Sequence, residues 1–420
     1  MIIGYMFLYV HRPFEVWPAL SVVRMELLYM LMLTAVWLAS PKTLNLNRLT
    51  GVVVAFAVTM IFAWITSDYA EEGTVTLTNW LKLLPFYLMI ITSVRDERDL
   101  KRLLVGFMFV MFLYMSHSLR EFIAGRHVYR MGIARMVGVD QALSDPNSFA
   151  ASIIYALPMI LPIWAIRKNS KQTFAIFGYI LLSVICVLLT GSRGGMIGLI
   201  TFGAICLLSS HRRGTLILLL SIAIPVGWLA LPEDIQNRYL TIIDDSRGPA
   251  NAQESKDSRR LLFNKATQLW EESPLLGHGP GSFPQASGTK MQAHTLYGQV
   301  LAELGTIGAI VLLVMVTFMA LNYVESRQLL HQFPAEEQAG NFYHLLIRSI
   351  FYTLILLLVL GFAGHNFYRF TWIWYAAFQG IALSLLRRQV EASQLAPASQ
   401  ASDELAPAAI GLKPHFTNAR

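Results

Sequence analysis

Charge is scarce in this 420-residue chain: Asp, Glu, Lys and Arg make up 14% of it, against 55% hydrophobic residues. A soluble protein of this length needs far more polar surface, so a soluble globular fold is excluded and a polytopic membrane protein remains. Cysteine is nearly absent. The two present, Cys186 and Cys206, lie inside apolar runs, which excludes a disulfide framework and a thiolate metal site. No HExxH occurs, and histidines and carboxylates do not cluster at ligand spacing, so neither a metal nor another cofactor is expected. The Walker and Rossmann glycine patterns are missing too, and with them a nucleotide site. The opening "MIIGYMFLYV" has no basic n-region and no small-residue cleavage site, so no cleavable leader is expected. Membrane lipids, and not nucleic acid, are the expected surroundings.

What the chain does have is apolar length. Windows of ~20 apolar residues suit a hydrocarbon core ~30 Å thick. They fall near residues 18–39, 49–67, 76–93, 102–119, 148–167, 173–190, 195–209, 214–231, 295–322, 344–362 and 368–387. Residues 1–10 would add a further short span. The expected fold class is therefore all-α: a polytopic integral membrane protein of about eleven or twelve transmembrane helices, with a large outer loop containing amphipathic helices. Its expected organisation is an N-terminal transmembrane bundle (1–231), a long loop on the outer face (232–293), C-terminal transmembrane helices (294–388) and a disordered cytoplasmic tail (389–420). Lys42, Arg48, the run "RDERDLKR" (95–102), Arg167, Lys168, Lys171, Arg212, Arg213, Arg327, Arg387 and Arg388 share one side, which the basic bias of short loops makes cytoplasmic. The other side carries two long connections, 120–147 and 232–293, both rich in arginine. Arg120, Arg126, Arg130 and Arg135 lie in the first; Arg238, Arg247, Arg259 and Arg260 lie in the second. Long loops between spans are where function usually sits.

Three stretches carry chemistry. In "LLTGSRGGMIGL" (188–199) the only charge is Arg193. Such an arginine either snorkels toward lipid headgroups or forks onto an anion, with Ser192 and the glycines letting backbone N–H groups approach. In "SKDSRRLLFNKATQLWEESPLLGHGPGSF" (255–283), Leu261, Leu262, Ala266, Leu269 and Trp270 suggest an amphipathic surface helix. Asp257 or Ser258 would cap it, placing Arg259 and Arg260 in its first turn, where they oppose the helix dipole unless an anion binds. A solvated basic face is the alternative. The following glycines and prolines read as a tight turn delivering His294 to the next helix, where it either caps the interface or acts as a base. "SDPNSFA" reads as a turn and cap at Asp145. "GHNFYRFTWIWY" (364–375) sets His365, Asn366, Tyr368 and Arg369 before the last span, among aromatics that read as an interfacial belt.

Three of these pieces in this order, "GSRGG", "SRRLLFNKATQLWEESPLLGHGPGSF" and "AHTLYGQVLAELGTIG", resemble the O-antigen ligase and polymerase superfamily of bacterial envelopes. "SDPNSFA" matches a turn common among its members, so the resemblance covers roughly 144–310. It implies a glycosyltransferase of the bacterial inner membrane with its active site facing the periplasm. The implied donor is a glycan on undecaprenyl pyrophosphate, and the implied acceptor of a ligase is a sugar hydroxyl of the lipid A-core. The resemblance assigns one functional arginine to the Ser-Arg turn, Arg193, and another to the head of the loop helix. The second aligns with Arg260, because "RLLFNK" fits better than a start at Arg259; the histidine falls on His294. The expected catalytic set is thus His294, Arg193 and Arg260, with substrate contacts from Arg259, Ser192, Gly279, Gly281 and Arg369. The chain departs from the commonest pattern at Thr295, where Asn is frequent, and at Asn264, near where a tryptophan often stands. Neither change removes a catalytic group, but both blur the subfamily. A polymerase and a protein O-glycosylation ligase share the donor and differ in acceptor. A secondary transporter would need matched interrupted helices or repeated halves, which this sequence lacks.

Overall fold

The computed structural model describes residues 1–130, 133–140, 145–210, 212–242, 244 and 251–404, with the backbone alone at Pro18, Arg130, 251–257 and 395–404. Its principal helices are α1 (Ile2–His11), α2 (Met25–Ala39), α3 (Arg48–Ile65), α4 (Ala70–Leu81), α5 (Leu83–Ser93), α6 (Glu97–Ile123), α7 (Pro146–Ala156), α8 (Ile160–Ile166), α9 (Ser170–Leu189), α10 (Arg193–Ser209), α11 (Arg213–Leu229), α12 (Glu233–Leu240), α13 (Asn251–Glu272), α14 (Leu296–Leu330), α15 (Phe342–Gly361) and α16 (Phe370–Glu404). A small antiparallel hairpin, β1 (Val128–Arg130) with β2 (Ile133–Arg135), pairs Val128 with Arg135 and Tyr129 with Ala134. The chain is an all-α polytopic membrane protein.

Short polar side chains set where the helices start. Asn47, Asp96, Asp145, Asn169, Ser192, Thr295 and Asn341 each accept a first-turn N–H with their own side chain. These bonds satisfy donors that a membrane interior would leave stranded. The core is built around the first half of α16, buried on nearly every face from Phe370 to Leu386. A helix that is apolar all round belongs inside. Trp374 lies fully buried at its centre among Tyr9, Phe86, Phe107 and Phe370. The aromatics expected as an interfacial belt are therefore interior: Phe367, Trp372 and Tyr375 are buried too. Apolar side chains left exposed, such as Val54 and Phe62 on α3 or Phe174 and Leu181 on α9, face outward where lipid would cover them.

Among the described residues, seven stretches are long and apolar enough to cross a membrane: 48–65, 70–93, 97–123, 146–166, 170–189, 296–330 and 342–361. Several of the windows read from the sequence fall on shorter or bent helices. α2 and α10 are apolar but shorter, and α11 bends through 120° into α12. At the other extreme α16 continues past residue 388, where a tail is expected, as far as Glu404. Alanine, glutamine and leucine there are good helix formers; residues 405–420 lie outside the described residues.

The two ends of the bundle differ in how they are closed. At one end Glu325 on α14 accepts from Arg48 on α3 and from Arg387 Nε on α16, the latter at 2.7 Å. Nearby, Asn45 donates to the carbonyls of Ile91 and Val94, each at 2.8 Å. At the other end the described parts of the connections after α3, α6, α9 and α15 converge with α13 on the start of α14. That convergence forms the cleft described next.

Candidate active site

The turn between α9 and α10 fixes the first element. Gly191 has φ 56°, in the left-handed region, and a Cβ there would lie 3.2 Å from Arg238 Cδ. The bare turn lets two guanidinium groups lie over it: Arg238 Nε donates to Gly191 O at 2.6 Å and Arg135 Nε to Thr190 O at 2.7 Å. Ser192, fully buried, caps α10 by accepting from Gly195 N–H at 3.0 Å. Arg193 is the first residue of α10, and one of its terminal nitrogens reaches Thr241 Oγ1 at 3.5 Å. Arg247 lies outside the described residues.

Beside this turn is a narrow cleft whose walls include Asn147, Ser192, Arg259, His294, His365 and Arg369. Asp145 stands at its rim, capping α7 through Ser148 N–H at 2.9 Å. Arg369 is pinned by two bonds of 2.9 Å, to Ser148 O and Ser152 Oγ. Asn147 accepts from Arg135 at 3.0 Å. The His294 and His365 rings face one another across the cleft with centroids 5.7 Å apart. His294 lies at the mouth of α14, one residue before the N-cap Thr295, and takes φ 54°. A non-glycine residue in that region is strained by about 1–3 kcal/mol, a condition common at functional sites. His365 is pushed down to about 4 by burial first, then by Arg369 and His294, so its ring stays neutral near neutral pH.

The loop helix corrects one expectation. α13 begins at Asn251, two turns before the expected cap at 257 or 258, so neither Arg259 nor Arg260 lies in its first turn. The dipole argument for a bound anion therefore lapses. Facing decides between the two arginines. Leu262, Ala266 and Leu269 form the buried seam of α13, and Arg259 falls on it at helical spacing, whereas Arg260 is exposed. Arg259, and not Arg260, lines the cleft. Burial first, and the Arg193 guanidinium second, push Arg259 below its ordinary value. Positive charge has thus been gathered here against its own repulsion.

The glycine-rich turn does something the sequence did not suggest. α14 is broken at Gly305, with φ 61° and ψ −159°, which strands carbonyls before the break and N–H groups after it. The turn takes up both sets. His278 and Gly279 donate to Ala302 O and Glu303 O, each at 2.9 Å. Thr306 and Ile307 donate back to Pro274 O at 2.8 Å and Leu275 O at 3.1 Å. Trp270 Nε1 adds a bond to Thr306 Oγ1 at 3.0 Å. A Cβ on Gly305 would lie 2.5 Å from Leu275 backbone atoms, and one on Gly279 would lie 2.6 Å from Ser67 Oγ. Gly279 is thus spent on packing. Gly281 packs against Thr76 and donates to the Glu303 carboxylate at 2.9 Å. That buried carboxylate also accepts Tyr368 O–H at 2.6 Å, which ties the turn to the segment carrying His365 and Arg369.

Of the residues expected from sequence, the cleft unites His294, Arg259, Ser192 and Arg369; Arg193 stands beside it and Arg260 outside it. His365, Glu303 and Tyr368 were missed as site residues. The available signal was a polar "GHN" and "YR" interrupting two apolar runs. Among the described residues no group of histidine, cysteine, aspartate or glutamate is arranged to hold a metal ion. Residues 178–313 match the family model described as O-antigen ligase, a span that holds the Ser192–Arg193 turn, α13 and His294. A comparison with curated proteins finds no match.

Proposed function

We propose that this member of the O-antigen ligase and polymerase superfamily is an O-antigen ligase that transfers a glycan from undecaprenyl pyrophosphate to a sugar hydroxyl of lipid A-core. One observation carries the reading: the guanidinium groups of Arg259 and Arg369 meet two imidazoles at a single cleft, with Arg193 beside it close enough to depress Arg259.

The chemistry follows from those groups. Arg193 and Arg259 take the pyrophosphate oxygens, where negative charge grows as the anomeric carbon–oxygen bond breaks. Arg259, and not Arg260, fills the role assigned to the loop helix. His294 accepts the proton of the acceptor hydroxyl as that oxygen bonds to the anomeric carbon, and undecaprenyl pyrophosphate leaves. Arg369, held by α7, completes the positive wall. The polyprenyl chain stays in the bilayer while its headgroup reaches the cleft. The protein works in the bacterial inner membrane with the cleft facing the periplasm; basic residues in the short connections at the Glu325 end support that orientation.

The test is transfer by purified protein in detergent, without an ion gradient, offering rough lipopolysaccharide, lipid-linked repeat units and a pilin-type peptide in turn. Glycan should appear on lipopolysaccharide, and EDTA should leave the rate unchanged. Transfer only to repeat units or to peptide overturns the ligase assignment. Loss in EDTA with recovery in Mg²⁺ or Mn²⁺ overturns metal independence.

A further inference from the structure

A second cavity, about 240 Å³, adjoins the arginine cleft and shares His365 as a wall. Its other lining comes from α1, α4, the glycine-rich connection, α14 and the segment before α16: Tyr9, Asn79, Trp80, Gln292, Gln299 and Tyr368. Charge is missing from this lining, so the cavity offers nothing to a phosphate. It is not lined for a hydrocarbon either, because amides and ring nitrogens in such a wall would go unpaired.

Two buried groups point to what fills it. Gln299 is 3% exposed, and its side chain lines the cavity from α14. Its Oε1 is buried without a partner. His365 Nδ1 is likewise buried and unpaired. Leaving such buried groups without a partner is costly, so a ligand that brings hydroxyl donors to them binds preferentially. Tyr9 and Trp80 supply aromatic surface for the C–H face of a ring. We propose that this cavity is a subsite for one uncharged sugar ring, held by Gln299, Gln292 and Asn79, next to the cleft that takes the pyrophosphate.

This subsite rests on the transferase reading for its role, but its binding does not depend on turnover. The ring would come either from the acceptor or from the first sugar of the donor, so two soluble neutral probes separate the sources. They are dephosphorylated core oligosaccharide and delipidated repeat-unit oligosaccharide, each titrated onto full-length protein in detergent and read by saturation-transfer NMR. Wild type should bind at least one of them, unaffected by inorganic pyrophosphate. Gln299→Leu should weaken that probe about tenfold or more. Gln292→Ala, in an exposed connection that tolerates change, should weaken it in the same direction if Gln299→Leu fails to fold. In transfer assays the same variants should raise KM for the substrate whose probe binds, with kcat changed less. Binding of neither probe, or unchanged affinity in a folded Gln292→Ala, Gln299→Leu or Asn79→Ala protein, overturns the subsite. A wild type that binds the probe yet transfers nothing overturns the transferase reading and leaves the subsite standing.

Discussion

At the Glu325 end of the bundle, a carboxylate takes two arginines from different helices and offsets half of their charge where they meet. At the cleft end Arg369 is held by a carbonyl and a hydroxyl, which fix its position without neutralising it. Arg193 depresses Arg259 there, and Arg369 depresses His365. The first arrangement ties helices together. The second keeps a positive field in place at some cost in stability, which is what stabilising a departing anion requires. Similar residue types thus do opposite work, and the partner chosen for each arginine tells which.

That contrast is open to direct attack. The largest effect is expected at the cleft: His294→Ala should lose about 10²–10⁴-fold in transfer rate while still binding lipid-linked donor. Turnover within a few-fold of wild type would reduce His294 to an interfacial residue. Next, Arg259→Lys should lower transfer about 100-fold, since an ammonium cannot replace a bidentate fork, while Arg260→Lys should stay within about threefold. The reverse order, measured under identical donor concentrations, returns the role to Arg260. Gly305→Ala should destabilise the protein by about 1–3 kcal/mol, lowering the Tm in detergent, because the left-handed break leaves no room for a Cβ against Leu275. An unchanged Tm would show that the break is not needed. Smallest of all, Glu325→Gln should cost about 0–1 kcal/mol of stability, its pairs being partly exposed, and leave transfer intact. Loss of transfer there would show that the two ends do not act independently.

Much of the site was legible as sequence, though for partly different reasons. The Ser192–Arg193 turn, the glycine-rich connection and the histidine before α14 were all marked by residue type and order. The choice of Arg260 over Arg259 followed motif alignment, although helical spacing from Leu262, Ala266 and Leu269 already places Arg259 on the buried face. His365 was hidden because a polar residue beside aromatics reads equally well as a membrane interface; only the fold shows that α16 is interior. The break at Gly305 was hidden for another reason. A glycine inside an apolar run is ordinary in a transmembrane helix, and nothing local reveals that its freed backbone groups are satisfied by a turn synthesised earlier.

The pairing across that break also orders events during biogenesis. Pro274 and Leu275 are made well before Thr306 and Ile307, the groups that complete them. Until α14 has been inserted on both sides of Gly305, the glycine-rich turn has nothing to close upon and α13 has no fixed seat. Arg259 is therefore delivered to the cleft only after the following span is in the membrane. A nascent chain stopped short of that span would carry Arg193, Arg259 and His294 and still have no assembled site.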